Sequence, residues 1–141
     1  MQKVIVPVDG SEASTRALQT AIDLLKGKEG AELHVLNIQS PIVSQNVTRF
    51  FSTEMLQEYY DDEGRKALAP AAALLANTEI KHVQKVLSGS IVETLQDYIK
   101  KNDCDHIVMG TRGLGAVPGL ILGSVTTKVL SVVKVPVTLV K

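Results

Sequence analysis

Cysteine occurs once, at Cys104, so no internal disulfide framework is available and a reducing compartment fits best. Neither charge is in excess: 15 Lys and Arg stand against 15 Asp and Glu. The sequence has no basic cluster, so a nucleic-acid or acidic-membrane partner has little electrostatic support. No apolar run approaches the roughly 20 residues that span a bilayer. The opening "MQKVIVPVDG" enters a strand pattern directly, without a charged leader and cleavage site, and cytoplasmic localisation is the expectation. What is present is the composition of a folded domain: 45 % hydrophobic and 21 % charged residues over 141 positions. No repeat, low-complexity tract or linker divides it, so residues 1–141 read as one domain.

Short β-branched runs alternate with helix-like segments. The strand candidates are Lys3–Val8, Ala31–Ile38, Ile80–Leu87, Asp105–Gly110 and Val135–Val140. Several are apolar without alternation, as strands covered on both faces are. Ser11 can cap a helix with the stripe Ala17, Leu18, Ala21, Ile22 and Leu25. Thr53 opens a longer one with Leu56, Tyr60, Ala67, Ala71, Leu74 and Leu75, which Gly64 weakens and Pro70 is expected to bend. Ser90 can cap a third helix carrying Val92, Leu95 and Ile99, and Ser124 starts a fourth with Val125, Val129, Val132 and Val133 on one face. The order βαβαβαβαβ predicts an α/β fold: an open five-stranded parallel sheet with helices on both faces, Rossmann-like. Such sheets bind ligands outside the carboxyl ends of their strands, where the strand order reverses. The long connection at 39–53 can cover that edge.

The segment "MGTRGLGAVPGLILGSVTTK", Met109–Lys128, holds five glycines between the fourth strand and the fourth helix. Glycines after a strand can serve tight turning and close packing alone. Two phosphate-loop patterns are absent. A Walker-type loop needs a lysine that Gly123–Ser124 lacks, and the first strand's turn "PVDGSE" has one glycine where a dinucleotide fingerprint needs three. What remains suits a nucleotide. Amides near Gly110 and Gly113 can point outward, and the helix start at Gly123–Ser124 favours an anion. The Ser124 hydroxyl can cap the helix and touch a phosphate, Arg112 adds a cation, and Asp9 can accept from a ribose hydroxyl or an adenine amine.

The spacing Gly110–x2–Gly113–x9–Gly123–Ser124 resembles the nucleotide-binding pattern of the universal stress protein family, Gly-x2-Gly-x9-Gly-Ser/Thr, at every fixed position. "VIVPVDGSE", "LHV" in the second strand and "VPVTLV" at the end are similar to that family too, with 39–77 the least diagnostic stretch. The resemblance implies an adenine nucleotide alpha hydrolase-like fold and ATP as ligand, with Mg2+ arriving through the phosphates. By position it implies that Asp9 contacts adenine or ribose while Pro7, Val8 and Val35 wall the base. Met109, Gly110, Arg112 and Gly113 would then form the floor around ribose and phosphates, and Gly123, Ser124, Val125 and Thr126 would hold the phosphates. It further implies a homodimer through the fifth strand, with Val135, Val137 and Leu139 or Val140 sharing the packing because Pro136 limits ladder bonds. One departure is visible: Gly89–Ser90–Ile91 stands where many relatives read Gly-x-Pro, which touches only the local loop shape.

Other candidates carry less. His34, His82 and His106 lie in three strands without metal-ligand spacing, and Cys104 has no cysteine partner, so packing roles are expected. Cys104 reads as a small buried or half-buried thiol. "YYDDEGR", Tyr59–Arg65, reads as a solvated helix face. Asp9 and Arg112 are the only groups near enough to aid hydrolysis, and neither has an evident activating partner. The reading is a nucleotide-dependent regulatory or stress-response binding protein with no catalytic residue assigned. The alternatives are a slow ATP hydrolase or a nucleotide-dependent transferase of the same architecture, whose usual Ser-Gly-Gly-x-Asp-Ser loop "VDGSEAS" does not supply, and a nucleotide-free partner protein.

Overall fold

A computed structural model describes residues 1–41, 50–112 and 122–141. Its elements follow the predicted order: β1 (Lys3–Pro7), α1 (Glu12–Leu25), β2 (Glu32–Gln39), α2 (Thr53–Leu75), β3 (Lys81–Ser88), α3 (Ile91–Asn102), β4 (His106–Gly110), α4 (Ser124–Val132) and β5 (Val137–Val140). All neighbouring strands pair in parallel in the order β3-β2-β1-β4-β5. The order therefore reverses between β1 and β4.

The apolar residues sort by face. Val4, Val6, Val8, Leu33, Val35 and Val108 point toward α1 and α2, where Ala17, Leu18, Leu68 and Ala71 cover them. Ile5, Leu36, Ile107 and Met109 point the other way, against Leu95 and Tyr98 of α3 and Val129 of α4. Successive strand residues face opposite sides, so these continuous apolar runs are needed to fill both layers.

Helix starts show how local sequence is used. Ser11 caps α1, its side chain accepting from the Ser14 amide at 3.2 Å. α2 opens at Thr53, as read from sequence, and Ser52 caps it, its side chain accepting from Met55 N–H at 3.1 Å. Ser90 sits at the start of α3 without a side-chain cap. Pro70 lies inside α2, which continues through it to Leu75. Gly64 is buried on that helix because a Cβ there would lie 2.4 Å from both γ-carbons of Val86. Gly10, in the turn after β1, has φ +84° and would set a Cβ 3.3 Å from the Ala67 Cα, so the turn and the close approach of α2 both need glycine.

The histidines do not converge. His34 is buried, with Nδ1 2.6 Å from the Tyr98 hydroxyl; Nε2 lies 3.0 Å from Glu32 Oε1, close but poorly aligned for a hydrogen bond. His106 Nε2 meets Thr138 Oγ1 at 2.7 Å, and His82 Nδ1 meets the Ile80 carbonyl at 2.9 Å. Cys104 is buried and its thiol is pushed up to about 11, chiefly by burial. Among the described residues no cluster of His, Cys, Asp and Glu is arranged to hold a metal ion. The acidic run of α2 forms exposed pairs, Asp62 with Arg65 and Glu63 with Lys66.

Burial pushes both His34 and His106 below 6.5, against the opposing pull of Glu32 on the first and Asp105 on the second. Below about pH 6.5 the unfolded chain then takes up protons that the folded chain resists. The contribution of these two histidines to stability is complete above that pH and is lost as the pH drops. Urea midpoints measured at pH 7.5 and 5.5 should show the loss, and replacing both histidines by glutamine should reduce it.

Candidate functional site

Pro7 decides where the sheet opens. Amide groups along a strand point alternately to its two sides, and Val8 N–H donates to Leu36 O of β2 at 2.9 Å. The nitrogen of Pro7 therefore faces β4, and it has no hydrogen to donate. Pairing agrees: β1 stays with β2 as far as Pro7↔Leu36, but its register with β4 ends at Ile5↔Ile107. β4 meanwhile remains with β5 to Gly110↔Val140. A crevice thus begins between the ends of β1 and β4, at the place where the strand order reverses.

The turn leaving β1 forms one wall. Val8 is buried, and its carbonyl accepts from the side-chain amide of buried Asn37 at 2.8 Å. Asp9 Oδ1 accepts from Ser11 N–H at 2.9 Å, and Asp9 N–H donates to Ser14 Oγ at 3.3 Å. These bonds hold the Asp9 carboxylate at the start of α1, where the helix dipole favours negative charge.

The other wall is the end of β4 and the start of α4. Met109 and Gly110 are buried, and a Cβ on Gly110 would lie 3.3 Å from Ala13 of α1. Thr126 is buried and its hydroxyl donates to the Gly110 carbonyl at 3.0 Å. Gly123 N–H donates to Thr111 O at 2.7 Å, and Thr111 N–H donates to Val140 O of β5 at 3.0 Å. The residues on either side of the glycine-rich connection are thus clasped together, with Arg112 exposed beside them. Gly113 lies outside the described residues.

Two readings of this region change. The N-cap of α4 is Gly123, not Ser124; Ser124 is the first helical residue, exposed, and caps nothing. Having no side chain, Gly123 leaves the amides of Ser124, Val125 and Thr126 without a cap of its own. Val125 and Val132 are exposed, so the buried face of α4 is Thr126 and Val129, with a hydroxyl where a valine stripe was expected. Val35 is placed apart from the open edge: it is fully buried in the layer under α1 and α2, level with Val6.

Sequence reasoning passed over Asn37 and Gln39. Gln39 Nε2 donates to Asn37 Oδ1 at 2.6 Å, and the Gln39 carbonyl accepts from Gly89 N–H at 3.0 Å. The signal was there: two amides at alternate positions close an otherwise apolar strand, "LHVLNIQ".

An open parallel sheet whose order reverses beside an uncapped, glycine-started helix is a doubly wound α/β architecture with its crevice at the carboxyl ends of the strands. The chain belongs to the universal stress protein family, whose model matches residues 1–141. A universal stress protein of Thermus aquaticus is 31 % identical over 138 residues, covering 98 % of this chain and 97 % of the relative. The solved structure of hypothetical protein MJ0577 superposes with a TM-score of 0.85 at 24 % identity, covering 99 % of this chain and 95 % of that one, and shares the fold. A universal stress protein solved in complex with cAMP is 26 % identical, with a TM-score of 0.64 over 99 % of this chain and 97 % of its own.

Proposed function

We propose that this chain binds an adenine nucleotide, ATP in the first place, and serves in the cytoplasm as a nucleotide-dependent regulatory protein of the stress response. The observation that carries the reading is Gly123. Its φ is −72°, and among the described residues a Cβ would meet only Arg112 Cα at 3.5 Å and Thr111 O at 3.6 Å. The described residues leave room for a side chain there, so the need for glycine is assigned to what approaches the helix start. A phosphate group fits that demand: it accepts from the amides of Ser124, Val125 and Thr126 and sits at the positive end of the α4 dipole. Gly110 and Arg112 stand on the β4 side, Asp9 on the β1 side, with Pro7, Val8 and Met109 between them, and Val35 supports Val8 from the core; Gly113 is assigned to the same floor by its place in the glycine spacing. Mg2+ would enter with the phosphates, since no described cluster offers a resident site. Dedicated catalysis forms no part of this reading. Mass spectrometry of nucleotide released by denaturing the purified protein tests it, followed by calorimetry with ATP and AMP. A protein that releases none and binds neither is not a nucleotide sensor.

The same reading includes a homodimer through β5. β5 is one of the two edge strands of the described sheet, the other being β3, and its four residues are half-buried. Pro136 O and Val140 O both accept from β4, so the even-numbered positions face β4 and the amides of Val137 and Leu139 face outward. Their side chains share one face and pack on the α3 and α4 core, so charging them would damage the monomer. Val137→Pro instead removes an outward donor and spares the ladder to β4. Light scattering at micromolar concentration should give twice 15.2 kDa for the wild type and the single-chain mass for the variant. A wild type already at the single-chain mass overturns the dimer.

A further inference from the structure

The hydrogen-bond chain at the end of β2 has a direction, and that direction fixes which atom of Gln39 is left over. The Val8 carbonyl can only accept, so the Asn37 atom 2.8 Å away must be the amide nitrogen. That turns Asn37 Oδ1 toward Gln39, and the Gln39 atom at 2.6 Å must be Nε2. Both amide orientations, which bare heavy-atom positions leave ambiguous, are thus set by one backbone oxygen. The consequence is that Gln39 Oε1 is left as an acceptor, with no partner among the described residues. The group is held firmly: Asn37 is buried, and Gly89 N–H fixes the Gln39 backbone at 3.0 Å.

A nucleotide with its phosphates at α4 and its ribose at Asp9 runs from the β4 side to the β1 side, and its base continues beyond β1 toward β2. Gln39 stands at the end of β2, on the same face as Asn37 and Val8. We infer that Gln39 is the base-reading residue of this crevice, its Oε1 accepting from the 6-amino group of adenine and repelling the 6-carbonyl of hypoxanthine or guanine. Asn37 is the positioning residue that keeps the oxygen outward. The inference rests on the nucleotide reading above and adds its base selectivity.

The test compares ATP with inosine triphosphate, which differs in replacing the amine by a carbonyl. Wild type should bind ATP at least about tenfold more tightly, the effect of one hydrogen bond made in one case and opposed in the other. In Gln39→Ala the ratio should fall to near one, mainly through weaker ATP binding. Gln39→Lys, which places a donor where the acceptor was, should tilt the ratio toward inosine triphosphate. A ratio is insensitive to partial unfolding, which scales both affinities alike. Equal affinities in the wild type, or a tenfold ratio retained in Gln39→Ala, overturn the role of Gln39 while leaving nucleotide binding in place. A wild type that binds neither compound removes the nucleotide reading first and this inference with it.

Discussion

Gly64→Ala lowers the stability of the protein by roughly 1–2 kcal/mol, although alanine is the better helix former. In an exposed helix the exchange would gain about 1 kcal/mol. Here the new Cβ would sit 2.4 Å from Val86 Cγ1 and Cγ2 and 2.9 Å from Val86 Cβ. Valine is branched at Cβ and cannot swing its methyl groups aside freely, so the helix or the strand must move. Overpacking of that kind costs about 1–3 kcal/mol, and more for Gly64→Val, which adds two further carbons. Urea unfolding measures it, and a double-mutant cycle with Val86→Ala isolates the clash. A coupling well above ~0.5 kcal/mol is expected, because the two side chains compete for one space. If Gly64→Ala is as stable as wild type, α2 does not approach β3 as closely as Val86 indicates.

The same glycine shows where sequence reading succeeds and stops. Periodicity and apolar runs were enough to find nine elements, their parallel arrangement and the two covered faces, because those follow from each segment's own pattern. Gly64 looked like a weakness in a helix; its reason is a residue 22 positions away on β3, invisible without the fold. Leu68 and Tyr98 are a different case: both are buried and lie at helical spacing from Tyr60, Ala71 and Leu95, so periodicity carried them although the stripes read from sequence left them out. The glycine spacing pointed to the carboxyl edge of β4, and Pro7 and Asp9 were picked out with it. What spacing could not show is that Pro7 opens the sheet by the side its nitrogen faces. Nor could it show that Thr126 spends its hydroxyl on Gly110 O, or that Asn37 and Gln39 form a directed chain. Each depends on register between strands, and register is a property of pairs.

Gly123→Val should abolish nucleotide binding, by at least about a hundredfold, while leaving a folded protein. The variant's fold survives because no described residue forbids a side chain: the backbone is in an ordinary extended conformation, φ −72° and ψ 164°, and the described neighbours stand 3.5 Å or more from the new Cβ. Losing glycine at an N-cap costs about 0.5–1 kcal/mol, which lowers the melting temperature by only a few degrees. Binding suffers differently. A phosphate that accepts from the amides of Ser124 and Val125 must come within about 3 Å of them, and a branched side chain at Gly123 occupies the approach. Gly123→Ala grades the effect: its single methyl group should weaken ATP by a smaller factor at nearly unchanged stability. Calorimetry with ATP, paired with a thermal melt on each variant, reads both quantities. If Gly123→Val stays folded and binds ATP as tightly as wild type, the phosphates do not sit at α4, and the nucleotide must lie elsewhere along the crevice.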